Sequence, residues 1–141
     1  MEKARLILKS GKEQSVHRYH PWIFSGAIKK ITGNPADGDI VEVFDNKESF
    51  LATGHYQPSS IAVRILSFEK ENIDRNFLKR KIEDAVRLRQ LIGLIDNPDT
   101  EIFRLINAEG DSLPGLIADY YNGVVVLQMH SAGMYRLRQD I

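Results

Sequence analysis

A chain of 141 residues has room for one medium domain or two small ones, and its 43% hydrophobic content is enough for a real core. With 27% charged residues the composition is not that of a disordered chain, and without cysteine it excludes disulfides, thiolate metal sites and a cysteine nucleophile. Net charge is zero but unevenly spread: residues 1–30 carry +5, 31–74 carry −5, 75–91 carry +4, 92–123 carry −5 and 124–141 carry +1.

These blocks predict local patches, or plain solvated faces, and not a uniformly basic binder. The apolar runs fall far short of the roughly 18 residues of a membrane span. The start, MEKARLILKSGKEQ, has no long apolar stretch before a small-residue cleavage site, so no signal peptide is expected. The lack of cysteine fits a cytoplasmic location.

In chain order, Arg5–Lys9 reads as a strand stopped by Ser10-Gly11-Lys12. His20-Pro21 forces an extended or turn conformation on His20, and Pro21 is placed to open a short helical turn through Trp22–Ser25. Ala27–Ile31 reads as a second strand, followed by the turn cluster Asn34-Pro35-Ala36-Asp37-Gly38. Asp39–Asp45, Phe50–Tyr56 and Ile61–Leu66 are three more. Five short strands with almost no helix predict a small β-barrel or sandwich.

After Phe68 the character changes. Asp74 is positioned to cap a helix running to about Ile92, with Leu78, Ile82, Ala85, Val86 and Leu91 or Ile92 on its apolar face and Gly93 closing it. Arg75, Lys79, Arg80, Arg87 and Arg89 are expected on the remainder. Asp96-Asn97-Pro98-Asp99 is a linker turn. Phe103–Asn107 reads as a strand. Leu116–Tyr121 and Val124–His130 flank Asn122-Gly123, a pair suited to a two-residue hairpin turn, and Ser131 opens a short, helix-like piece. A helix, a strand and a hairpin are half of a small α/β unit, so the chain is expected to be a fragment cut inside a second domain.

Few residues are placed for chemistry. His17 and His20 have i, i+3 spacing, but Pro21 disfavours helix at His20 and no third ligand is near, so structural histidines are expected rather than a metal site. Glu109 and Asp111 sit in a glycine-bounded turn, and turn chemistry explains them better than an acid pair or a hydrolase with His130. There is no GxxxxGK[ST], no GxSxG and no glycine-rich cofactor turn. The stretch HRYHPWIFSGAIKK at 17–30 is the best candidate. It holds the sole tryptophan beside Arg18, His20, Lys29 and Lys30, the residue mix that grips phosphates and stacks on bases. The competing reading makes Trp22, Ile23 and Phe24 the plug of the barrel, with the cations around it as the functional rim.

Taken in order, LILKSGKE, HPWIFSGAI, GDIVEVFD, LATGHYQPSS and IAVRIL resemble the N-terminal PUA domain of the S-adenosylmethionine-dependent large-subunit rRNA cytosine-5 methyltransferases. FRLINAEGDSLPGLIADYYNGVVVLQMHSAG resembles the start of their central α+β domain. The resemblance implies a mixed α+β chain: a PUA-like pseudobarrel at 1–70, a helix and linker at 71–98, and a truncated central domain with a β-hairpin at 99–141. The Rossmann-like domain that binds S-adenosylmethionine would lie outside this chain, so neither cofactor nor catalytic residues are expected within it. The resemblance implies structured RNA as partner, namely large-subunit rRNA, with no DNA or membrane role and with homodimerisation left open. Lys9, Arg18, Lys29 and Lys30 are the expected RNA contacts, with His20 in support. Arg75, Lys79, Arg80 and Arg87 form a weaker second set. The alternative, drawn from the zero net charge and the acidic blocks, is a protein-interaction or dimerisation module without RNA affinity.

Overall fold

The computed structural model describes residues 3–141, which fall into two compact units meeting between Asn72 and Ile73. In the first unit, strands β1 (Ala4–Leu8), β2 (Trp22–Phe24), β3 (Ile28–Thr32), β4 (Ile40–Phe44), β5 (Phe50–Tyr56) and β6 (Ile61–Ser67) form one sheet in the order β2-β6-β5-β4-β1-β3. All neighbours are antiparallel except β1 and β4, which run parallel. Laid flat, six strands would hold β2 and β3 about 24 Å apart. Yet only the 3-10 turn Ser25–Ala27 joins them, and four residue steps reach at most about 14 Å. The sheet therefore curls into a half-barrel.

Its interior is Leu6, Leu8, Val41, Val43, Leu51, Ala52, Val63 and Ile65, closed by Ile23 of β2 and Val16 of the short helix α1 (Gln14–His17). Each such side chain contributes about 1.5–3 kcal/mol by leaving water. The middle of β5 is buried on both faces, and β6 runs so close that a Cβ on Gly54 would lie 2.3 Å from the Arg64 carbonyl oxygen. Gly54 is there because nothing larger fits.

Two expectations are corrected here. Trp22–Ser25 is not a helical turn: Trp22–Phe24 is a strand, with Trp22 opposite Arg64 and Ile23 opposite Val63. Backbone pairing to β6 outweighs the helix-opening preference of Pro21. The barrel plug is consequently Ile23 with Val16; Phe24 is half exposed and Trp22 only partly buried. All five expected strands are found with ends within one residue of those expected, and β2 is a sixth.

In the second unit, α2 (Arg75–Leu91) begins at Asp74, whose carboxylate accepts a hydrogen bond from the Phe77 amide at 2.9 Å. The antiparallel sheet β7 (Ile102–Asn107), β8 (Leu116–Tyr121), β9 (Val124–Met129) follows, with β8 in the middle. Asn122 and Gly123, at φ +41° and +94°, make the two-residue turn with both residues left-handed. A last short helix, α3 (Ala132–Arg136), is capped by Ser131.

The buried face of α2 differs from the expected one. Phe77, Leu78, Ala85 and Arg89 are covered, while Leu91 and Ile92 are exposed. Leu78, Ala85 and Arg89 are seven and four residues apart, which a 3.6-residue period puts on one stripe. Arg89 is tolerated there because every polar face of it is satisfied. Its Nε donates to the Arg104 carbonyl at 3.0 Å, and its two terminal nitrogens donate to the Asp111 carboxylate at 2.5 and 2.8 Å. Asp111 also accepts from the Asn107 amide at 2.6 Å, so it ties the 3-10 turn Ala108–Asp111 to the helix as well as closing that turn.

Breaking one side of such a pair strands a buried charge. Arg89→Met is expected to cost about 3–5 kcal/mol in urea unfolding. Adding Asp111→Asn, which removes the stranded charge but keeps an acceptor for the Asn107 amide, is expected to recover part of that loss. A single-variant cost below about 1 kcal/mol would show that the pair does not hold the helix to the turn.

Candidate nucleic-acid interface

Between Glu13 and Asp37 the chain contains no acidic residue. That run folds as α1, β2, the 3-10 turn and β3, and it carries Arg18, His20, Lys29 and Lys30. All four are exposed. Lys9, just past β1, is drawn to the same turn: its Nζ donates to the Gly26 carbonyl at 2.8 Å. Lys29 Nζ donates to Asn46 Oδ1 at 2.7 Å in the turn between β4 and β5. Among the described residues the side chains of Arg18 and Lys30 make no ion pair or hydrogen bond within the protein. Lys9, through its bond to Gly26, and Lys29 and Lys30, which follow Ala27 and Ile28, thus lie at or next to the β2–β3 connection, whereas Arg18 follows α1 and precedes β2 in the chain.

His17 and His20 do not share a helical face. α1 ends at His17, and Tyr19 is left-handed with φ +60° before His20. His20 instead turns onto β2, where its Nδ1 lies 3.2 Å from the Trp22 amide nitrogen and 3.1 Å from the Trp22 carbonyl oxygen.

Because β2 is a strand, Trp22 and Phe24 share its outward face. With His20 they form a group of rings: His20–Trp22 at 6.1 Å and 75°, His20–Phe24 at 6.2 Å and 44°, Trp22–Phe24 at 6.5 Å and 89°. The Arg64 guanidinium lies 5.7 Å from the Trp22 ring centre and its Nε donates to Gln57 Oε1 at 3.3 Å. Phe24 and Arg64 are not among the expected contacts, and for Trp22 the sequence leaves the stacking and the barrel-plug readings both open. The signal was there in W-I-F, an apolar residue between two aromatics at a two-residue period, but a three-residue strand is too short to prefer that reading over a helical one.

The weaker set spreads over the solvent side of α2. Arg75 opens the helix, Lys79 pairs with Glu83 at 3.8 Å, and the Arg80 guanidinium lies 5.8 Å from the Phe77 ring centre. Arg87 is exposed one turn before the end. Arg89, by contrast, is withdrawn into the core. Glu109, Asp111 and His130 do not form an acid–base group: Asp111 is spent on Arg89, and His130 Nε2 faces Gln128 Oε1 at 3.1 Å. Asn97 closes a plain turn, its Oδ1 accepting from the Asp99 amide. Among the described residues there is no group of three or more His, Asp or Glu arranged for a metal, and no helix long and apolar enough to cross a membrane.

This arrangement is a small curled β module with cations and aromatics near one strand connection, and residues 6–68 match the PUA-like domain family. Relatives extend the match over nearly the whole chain. It is 43% identical over 138 residues to the ribosomal RNA large subunit methyltransferase I of Pseudoalteromonas translucida, covering 96% of this chain and 34% of that protein. To the enzyme of the same name from Vibrio vulnificus it is 41% identical, over 98% of this chain and 34% of the relative. The chain is thus a homologue of these methyltransferases and spans about a third of their length. The fold is also that of a candidate SAM-dependent methyltransferase from Streptococcus mutans, at TM-score 0.80 and 20% identity, over 97% of this chain and 35% of the solved one. A second solved structure with the same scores is a candidate methyltransferase complexed with SAH.

The Asn46 anchor depends on Asp45, whose carboxylate accepts from the Ser49 and Lys47 amides, each at 2.8 Å. These bonds, that from Ser49 foremost, hold Asp45 below the usual carboxylate range. A depressed folded value stabilises the protein above the unfolded value, near pH 4, and the contribution is lost as pH falls through the folded one. The stability difference between wild type and Asp45→Asn, followed by urea midpoints from pH 6 down to pH 2, is therefore expected to be largest at pH 6 and to shrink toward acid. A difference that grows toward acid would contradict this assignment.

Proposed function

We propose that this chain is the RNA-binding and substrate-positioning part of a cytoplasmic S-adenosylmethionine-dependent methyltransferase acting on a cytosine of large-subunit rRNA, at carbon 5. The observation that carries the reading is the acid-free run from 14 to 36, folded at one strand connection of a PUA-like half-barrel with Arg18, Lys29 and Lys30 exposed. Such cations neutralise backbone phosphates and set register, while sequence is read elsewhere. His20 adds an exposed imidazole ring close to Trp22. The cations of α2 (Arg75, Lys79, Arg80, Arg87) offer a second, more diffuse contact to the same polyanion. Methylating a paired base requires its extrusion, at a cost of a few kcal/mol that backbone contacts help offset.

In this reading neither the cofactor nor the nucleophile is held by this chain. The one long helix has its N-terminus occupied by the Asp74 carboxylate, which would repel the cofactor's own carboxylate, and the chain has no cysteine to attack cytosine. S-adenosylmethionine and the nucleophile belong to the remainder of a longer protein in this reading, and DNA and membranes are not its targets.

A second reading, an interaction or dimerisation module, has one observation in its favour. Val124, Val125, Val126 and Leu127 are all exposed along β9, an edge strand. It predicts a dimer by light scattering and no affinity for RNA.

Fluorescence anisotropy with folded large-subunit rRNA fragments separates the two. Binding is expected to weaken steeply between about 50 and 200 mM salt. Lys29→Glu combined with Lys30→Glu is expected to lower affinity at least about tenfold and to make the log–log salt slope shallower by about 2. Unchanged affinity in that double variant would place the RNA face elsewhere.

A further inference from the structure

We infer that the His20–Trp22–Phe24 group on β2 is a stacking platform for an unpaired nucleotide of the bound RNA. This rests on the RNA reading above and adds to it the kind of RNA element that is recognised: a loop, bulge or extruded base rather than a continuous duplex.

Three observations lead there. Phe24 is 50% exposed, with Trp22 edge-on to it at 89° and the exposed His20 tilted at 44°, so a large apolar ring is left facing water. Trp22 stands at 75° and 89° to His20 and Phe24, so the three rings meet edge-on or tilted and none lies parallel to Phe24. The surroundings are cationic: Arg64 lies over Trp22, and Lys9 is bonded to Gly26, two residues past Phe24, with Lys29 and Lys30 following. A protein-docking patch needs apolar rings; it does not call for 23 consecutive residues without one carboxylate, which is what residues 14–36 provide. A polyanion with flat, uncharged rings satisfies both features at once.

The duplex alternative fails on geometry. Bases inside an A-form helix stack on one another and offer no faces, so exposed aromatics gain nothing from them. Only a base outside the stack can use Phe24. β2 is the terminal strand of its sheet, paired on one side alone, which leaves room for a nucleotide to approach along it.

The test uses the 141-residue chain, an RNA hairpin carrying 2-aminopurine in its loop, and a fully paired duplex of equal length and charge. The hairpin is expected to bind more tightly and to change its 2-aminopurine emission on binding. Phe24→Ala is expected to weaken hairpin binding about tenfold and abolish the emission change, with duplex affinity unaltered. Phe24→Leu, which keeps apolar bulk, is expected to do the same with an unchanged melting temperature, separating lost stacking from lost folding. If Lys29→Glu/Lys30→Glu weakens binding while both Phe24 variants leave it and the emission unchanged, the platform is overturned and the RNA reading stands. If the wild type binds neither RNA, both fall. A dimer in light scattering that Phe24→Ala dissociates would assign the rings to a protein contact and overturn the platform.

Discussion

The pairing of Ile23 with Val63 fixes which way β2 faces, and most of the first unit follows from it. A strand has a period of two, so turning Ile23 into the barrel turns Trp22 and Phe24 out. It also sets where the chain leaves the strand, and the three-residue turn that follows is too short to reach β3 unless the sheet curls. One buried isoleucine therefore links the closure of the barrel to the exposure of the aromatic rings. Core and surface are specified by the same three residues.

The second unit is built on a different constraint. Its helix shows the sheet a stripe that ends in a charge, and that charge has to be matched. Arg89 is matched by a carboxylate and a carbonyl from two separate places in the chain, Asp111 and Arg104. An ion pair of this sort adds little net stability over a well-packed apolar contact, but it accepts only one register of helix against turn. This gives Asp111 a structural task and removes it from the pool of acids available for chemistry.

What could be read from the residues, and what could not, divides along signal length. β4, β5, β6, α2 and the β8–β9 hairpin each carry five or more residues of consistent period or an unambiguous turn pair, and their positions were legible. α1 has four residues and one buried side chain, Val16, so no period exists to be read. β2 has three residues and follows a proline that equally suits a helix start. Arg89 looked like its exposed neighbours because its partner lies 22 residues away. For the candidate interface the same logic holds. That Lys29 and Lys30 would be exposed was legible from their place beside a turn. That Trp22 and Phe24 would join them depended on a pairing with β6, some 40 residues downstream, which no local pattern announces.

The cations and the rings at this connection answer to different conditions, and that difference gives the site its logic. On the RNA-binding reading, contacts from Lys29, Lys30 and Arg18 to phosphate would weaken as salt rises, would be indifferent to sequence, and would act on paired and unpaired RNA alike. Stacking on Phe24 and Trp22 would be far less sensitive to salt and would act only on a base outside a helix. At low salt the first term dominates and the module would hold any RNA. Near physiological salt the first term falls by orders of magnitude and the second decides which RNA stays bound. A module that must find one unpaired position among many duplex segments benefits from that ordering: cations bring it to the RNA quickly, and rings retain it only where a base is free. On that reading the acid-free segment from 14 to 36, a short helix followed by strand, turn and strand, would supply both terms.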